Sequence, residues 1–218
     1  MKVKLIAVSK PVIDGLTTAE ELVSYCARVS NPTNQLNTTT APRLLKYCID
    51  HEHWSIFEHA SMTVEIQTSR AIAAQILRHR SFTFQEFSQR YSSAHNIEHY
   101  ELRRQAEKNR QSSSDVIWTN ENGVFDIAAN AINVAHEAYN KLLELGVARE
   151  CARMILPLTT QTTMYMTGSC RSFIHYINLR TKEDTQKEHQ IIALEIKDIF
   201  KREFPSIAEA LNYNEFKL

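Results

Sequence analysis

Apolar and polar positions along the chain switch between periods of two and of about 3.6, and the switches set out its elements. Residues 2–8 alternate into a short strand, Val3-Lys4-Leu5-Ile6-Ala7-Val8. Thr17 or Thr18 followed by Glu21 resembles a capping box, after which Leu22, Val23, Cys26, Ala27 and Val29 repeat at helical spacing. A polar loop over 31–40 precedes a second helix over 41–51, with Leu44, Leu45, Cys48 and Ile49 on its buried stripe. Met62, Val64 and Ile66 alternate with Thr63, Glu65 and Gln67, which predicts a half-buried strand. Ser69 offers an N-cap for a helix from Arg70 to about Arg80, with Ile72, Ala73, Ile76 and Leu77 facing inward.

Periodicity then lapses. Residues 92–123 are polar and read as a long excursion with partial helix around 101–111. Helical spacing returns from Phe125 to Leu145, with Gly146 as its stop, and a short helix over 147–155 is halted by Pro157. Residues 160–167 predict a strand. Helices follow from Ser169 to Arg180 and from Thr185 to Phe204, the second closed by Pro205. One pattern recurs weakly. A strand ending near Ser69 leads to a helix ending at Leu77-Arg78, with Glu86 eight residues on; a strand ending near Ser169 leads to a helix ending at Leu179-Arg180, with Glu188 eight residues on. Two similar strand–helix halves or chance would each give this. The expected class is α/β (α+β), and the length suits one domain over 1–218.

Composition narrows the options. Lys plus Arg and Asp plus Glu number 25 each, so formal net charge is zero, whereas a protein gripping nucleic acid non-specifically usually carries a basic excess. Cys26, Cys48, Cys151 and Cys170 show no paired spacing and lie in apolar-periodic segments, so they read as reduced core thiols of a cytosolic (cytoplasmic) protein. No run approaches the roughly 20 apolar residues of a membrane span, so no membrane partner is expected. Four glycines cannot build a Gly-rich phosphate loop or dinucleotide fingerprint; a flavin or nicotinamide would have to be bound without a Rossmann motif.

The chemistry concentrates in Arg78-His79-Arg80-Ser81-Phe82-Thr83-Phe84-Gln85-Glu86-Phe87-Ser88-Gln89-Arg90-Tyr91. Arginine forks grip phosphate, aromatic surfaces meet rings, and Glu and Ser bind remaining edges, so the stretch suits an anionic, planar ligand. Gln75, Arg78 and His79 would share a helix face. Arg153, Arg171 and Arg180 stand in otherwise apolar segments; each alone reads as a salt bridge with Glu150 or Glu188, and together they favour anion recognition. His51, Glu52, His53 and His59 lack the spacing of a helical zinc site, and polar contacts to a ligand suit them better, so no metal is expected. Ser88 is better read as a ligand contact than as a nucleophile beside His79. The alternative function is a nucleic-acid-binding module in which the arginines, Phe82, Phe84 and Tyr91 clamp phosphates and stack bases; the neutral balance weighs against it.

Arg78-His79-Arg80 followed seven residues later by Ser88 resembles the signature of the flavin-dependent thymidylate synthases. His53-Trp54-Ser55-Ile56-Phe57-Glu58-His59, the run from Arg149 to Pro157, and Asn178-Leu179-Arg180 are similar to further segments of that family in the family's order. The resemblance implies a central, mostly antiparallel sheet flanked by helices, a homotetramer with shared active sites, and a methyltransferase of dTMP biosynthesis. Such an enzyme carries FAD, uses NADPH, and converts dUMP to dTMP with methylenetetrahydrofolate. It further implies that Gln75, Ile76, Leu77, Arg78, Glu86, Phe87, Ser88, Gln89, Arg90, Arg153 and Arg180 surround dUMP, with Arg180 catalytic. Ser55 (from a neighbouring subunit), Arg78, His79, Arg80, Glu86, Ser169, Cys170, Arg171 and His175 would contact FAD, and His53 and Tyr91 would lie near flavin and folate. Ser169 and His175 stand where many members carry Asn, and Asp184 where they carry His.

Overall fold

A computed structural model describes residues 1–94 and 96–213; position 95 of the excursion and residues 214–218 of the expected 1–218 domain lie outside the described residues. In chain order the elements are β1 (Lys2–Val8), α1 (Ala19–Ala27), α2 (Ala41–Asp50), β2 (Ser61–Ser69), α3 (Arg70–Ile76), β3 (Thr83–Glu86), β4 (Arg103–Gln105) and β5 (Ser113–Val116). They continue with α4 (Val124–Glu144), α5 (Arg149–Ala152), β6 (Gln161–Ser169), α6 (Cys170–Arg180), α7 (Lys187–Glu203) and α8 (Pro205–Ala210). Four strands form one sheet in the order β1-β2-β6-β3, and each neighbouring pair is antiparallel.

The sheet is built on β2 and β6, which pair along their whole length from Ser61↔Ser169 to Ser69↔Gln161. Period-two alternation places Met62, Val64 and Ile66 with Met164 and Met166 on one fully buried face. Phe173, Tyr176, Ile192, Ile196 and Phe200 of α6 and α7 complete the core there. The opposite face is polar and half exposed: the Thr63 and Thr167 hydroxyls lie 2.9 Å apart, and the Tyr165 phenol is held above its ordinary pKa by its hydrogen bond to Glu65. The recurrence seen in the sequence thus has a geometric counterpart. Each long strand ends in a serine that caps the next helix, and each carries one edge strand, β1 or β3.

Several sequence expectations are corrected. The helix after Ser69 stops at Ile76 rather than near Arg80, because the following chain tightens into three-residue turns that bury Phe82. Gln75 is therefore helical, whereas Arg78 and His79 lie beyond the helix and share no helix face with it. Residues 83–86, to which the periodicity assigns no element, form β3 on the edge of β6. The partial helix around 101–111 is instead the β4–β5 hairpin, whose turn is tied by Gln105 Nε2 donating to the Asn109 and Ser112 carbonyls. Pro205 ends α7 but also opens α8, since a proline costs no hydrogen bond in a first helical turn. Among the cysteines, Cys48 and Cys170 are buried and Cys26 half-buried, but Cys151 is exposed on α5. Desolvation pushes the Cys26, Cys48 and Cys170 thiols above their ordinary range.

Glu52, just past α2, adopts φ 58°, the left-handed conformation that ends a helix and favours glycine. Its amide donates to the Ile49 carbonyl, and that of His53 to the Cys48 carbonyl. Glu52→Gly is expected to stabilise the fold by up to about 1 kcal/mol, read from the urea midpoint; a lower midpoint would show that the turn is not strained.

Candidate active site

Two serine caps position the site. Ser69 Oγ accepts from the Ile72 amide (3.3 Å) and Ser169 Oγ from the Ser172 amide (3.2 Å), so α3 and α6 start at opposite ends of the β2–β6 ladder. Each helix folds back over the apolar face. At about 1.5 Å per residue they are roughly 10 and 16 Å long over a ladder of about 30 Å, so their C-terminal ends meet above its middle. There Arg180 Nε donates to His79 Nε2 at 2.9 Å, the central contact of the site.

That bond requires a neutral His79 with its proton on Nδ1. Burial, then the Arg180 charge, then His175, hold its pKa down to about 4. The His79 ring stands edge-on to Tyr176, with centroids 4.9 Å apart. Phe82 anchors the turn that carries it. Its ring packs on Phe173 at 4.9 Å and over Gly168, where an added Cβ would come within 2.4 Å of it. Beside this turn Gln75 is half-buried, Ile76 is core, and Leu77, Arg78 and Arg80 face solvent. No acid pairs with Arg78, Arg80, Arg153 or Arg180 among the described residues.

The rest of the motif lines the sheet edge. Glu86 Oε1 accepts from Arg70 (2.5 Å) and Thr162 Oγ1 (2.9 Å), and the Phe87 amide donates to the Thr163 carbonyl. Ser88, Arg90 and Tyr91 open a cleft of about 480 Å³ with Ala148, Arg149 and Glu150. Arg90 pairs with Glu150 at 2.9 Å across it. Tyr91 is 89% exposed, whereas Gln89 is 6% exposed with its Nε2 lacking a partner. Arg153 Nε is likewise buried and unpaired. Donors with no acceptor inside the protein are what an anionic, oxygen-rich ligand would satisfy.

The expected flavin contacts lie elsewhere along α6. Ser169 serves as the cap, Cys170 is core, and Arg171 pairs with Glu58 at 3.1 Å. His175 and Ser55 are exposed, and His53, close to Tyr47, is exposed as well. Arg171 and Arg180 are separated by roughly 14 Å of helix, so this group and the Arg180 group mark two ends of an extended surface. The salt bridges foreseen for the arginines also fall differently: Glu150 holds Arg90 and Glu188 holds Arg103. Of the three aromatics offered for base stacking, Phe82 is buried and Phe84 half-buried, which leaves Tyr91 as a single exposed ring where a nucleic-acid module would stack successive bases. Among the described residues, no cluster of three His, Cys, Asp or Glu converges as metal ligands, and no helix is long and apolar enough to cross a membrane. Sequence reasoning missed His189 and Tyr176, both fully buried, whose Nε2 and hydroxyl lie 3.0 Å apart. A histidine on an apolar helical stripe was the available signal.

The family model described as thymidylate synthase complementing protein matches residues 11–206. A probable flavin-dependent thymidylate synthase of Paramecium bursaria Chlorella virus 1 is 55% identical over 98% of this chain and 100% of its own. The chain belongs to the flavin-dependent thymidylate synthase family. The flavin-dependent thymidylate synthase of Synechocystis sp. is 52% identical over 98% of this chain and its whole length. The UMP/dUMP methylase PolB of Streptomyces cacaoi, solved with 5-Br dUMP, superposes with a TM-score of 0.82 at 26% identity, covering 97% of this chain and 94% of its own. The chain is thus a thymidylate synthase that depends on a flavin, built on an antiparallel sheet flanked by helices.

Two outcomes test the synthase's site geometry. Gly168→Ala should cost about 1–3 kcal/mol in urea unfolding by driving Phe82 off the strand, and an unchanged midpoint would mean that the ring moves freely. Isolated imidazoles protonate near pH 6.5, but His79 does so near 4 and His189 near 3, each held down chiefly by burial. Between those values the unfolded chain binds more protons, so stability falls as pH falls. His189→Asn removes part of that dependence, and its Tm should fall less steeply than the native protein's from about pH 7 to about pH 5; parallel slopes would contradict the buried neutral state.

Proposed function

We propose that the synthase binds dUMP across the cleft beside β3 and places the pyrimidine against Arg180. The unpaired donors Arg153 Nε and Gln89 Nε2 are the observation that carries this reading. Arg90 and Arg153 receive the phosphate dianion, for which Glu150 now stands in at Arg90. Ser88 and the neighbouring backbone fix its register, and Gln75, Arg78 and Glu86 border the sugar and base. Because Arg180 gives its Nε to a neutral His79, its charge is not cancelled by a carboxylate, and its two Nη groups remain for the ligand. A guanidinium held in this way stabilises negative charge developing on the uracil ring as its C5 becomes nucleophilic. No thiol has to attack, which fits the raised pKa values of Cys26, Cys48 and Cys170.

Arg78 and Arg80, which have no acid partner among the described residues, with polar groups at Ser55, Ser169, Arg171 and His175, suit an anionic dinucleotide, so these residues would hold FAD. When bound, FAD supplies the redox chemistry, drawing on NADPH and reducing the one-carbon unit that methylenetetrahydrofolate provides. His53 and Tyr91, both exposed, flank that region. A single domain acting in the cytosol as a homotetramer with shared sites completes the reading. The 21-residue α4 supports the tetramer: of its residues only Tyr139 is buried, while Ile127 and Val134 are 67% and 55% exposed.

The purified protein should be yellow, bleach with NADPH, and release dTMP from dUMP when folate is added. Arg180→Ala should lower kcat by about a hundredfold or more while the flavin stays bound. A colourless protein, or an Arg180→Ala variant with native turnover, would sink the assignment.

A further inference from the structure

Gln75 lies within a run of hydrogen bonds that begins on the β4–β5 hairpin. Arg103 Nη2 donates to Glu188 Oε1 at 2.5 Å, with side chains only 12% and 9% exposed. Gln186 Nε2 donates to Glu188 Oε2 at 2.9 Å, and Gln75 Nε2 donates to Gln186 Oε1 at 2.6 Å. His189 Nδ1 lies 3.2 Å from Gln75 Oε1, and its Nε2 lies 3.0 Å from the Tyr176 hydroxyl.

Amide orientations and imidazole tautomers are ordinarily ambiguous, but here one charge settles all of them. A carboxylate paired with a guanidinium only accepts, so Gln186 must turn its NH2 to Glu188 and its oxygen to Gln75. Gln75 must then give its NH2 to Gln186 and its oxygen to His189. His189 must carry its proton on Nδ1, which leaves Nε2 to accept from Tyr176. Reversing any one link would set two acceptors or two donors against each other, at an expense that rises with burial.

We propose that the Arg103–Glu188 ion pair, through Gln186 and the buried His189–Tyr176 pair, fixes the orientation of the Gln75 carboxamide and so presents one N–H and one oxygen lone pair to the nucleotide in assigned places. His189 is then a positioning residue for dUMP, and the excursion hairpin is part of the nucleotide site although it touches no expected ligand position. Tyr176 and His189 also stand edge-on to the His79 ring, at 4.9 and 6.1 Å. This inference rests on the reading of Gln75 as a dUMP contact.

The test uses the flavin-loaded holoenzyme with dUMP as the varied substrate. His189→Leu removes both hydrogen bonds, and His189→Asn keeps a donor where Nδ1 stands. His189→Leu should raise the KM for dUMP about tenfold with kcat within about twofold and flavin content unchanged, and His189→Asn should recover most of that loss. Glu188→Gln, whose amide can present either end, should raise KM by about threefold because the run can then invert. Equal KM values in all three variants and the native enzyme, or Asn no better than Leu, would overturn the proposal. If His189→Leu does not fold, the Glu188→Gln and His189→Asn values decide. An independent readout needs no turnover: 15N chemical shifts of the native protein's histidines should show His189 as the neutral Nδ1–H tautomer, and an Nε2–H form would overturn the polarity. A native protein that neither bleaches nor turns over dUMP would refute the function itself, and the tautomer would still report on the hydrogen-bond run.

Discussion

The pairing of β2 with β6 is the constraint on which the rest of the structure depends. A continuous antiparallel ladder from Ser61↔Ser169 to Ser69↔Gln161 fixes where both serine caps stand, and therefore where α3 and α6 begin. Shifting β2 by one residue against β6 would turn Met62, Val64 and Ile66 outward and bring Thr63, Glu65 and Gln67 into the core. The same slip would pull His79 away from Arg180. Strong burial on one face thus sets the position of Arg180, which is itself only half-buried.

Much of this was legible in the sequence, for physical reasons that differ by element. β2 and α6 were readable because a half-buried strand and a capped helix write their burial pattern locally. The end of α3 was not, since Ile76, Leu77 and His79 continue an acceptable helical pattern. What stops the helix is the burial of Phe82 against Gly168 and Phe173, residues more than eighty positions away. The β4–β5 hairpin was hidden for a related reason. Its strands are short and polar, with no apolar alternation, and Arg103 is held by Ser113 across the hairpin and by Glu188 on α7.

Site residues followed the same division. Those within the Arg78–Tyr91 stretch announce themselves by an improbable density of polar and aromatic groups. His189 does not, because one histidine among isoleucines carries no such contrast. Its importance shows only where α7 crosses α3 and α6, with Gln75 on one side of the imidazole and Tyr176 on the other.

The balanced charge of the chain also takes on a different meaning in three dimensions. Equal numbers of acids and bases argued against a partner held by general electrostatics. Around the site, however, the acids are already committed: Glu86 to Arg70, Glu150 to Arg90, and Glu188 to Arg103. Arg78, Arg80, Arg153 and Arg180 have no such partner among the described residues, and the nearest imidazole, His79, is kept neutral and used as an acceptor. Local positive potential therefore arises from how the charges are paired and not from their number. A neutral chain can present a cationic site for a phosphate-bearing planar ligand while the rest of its surface attracts polyanions little.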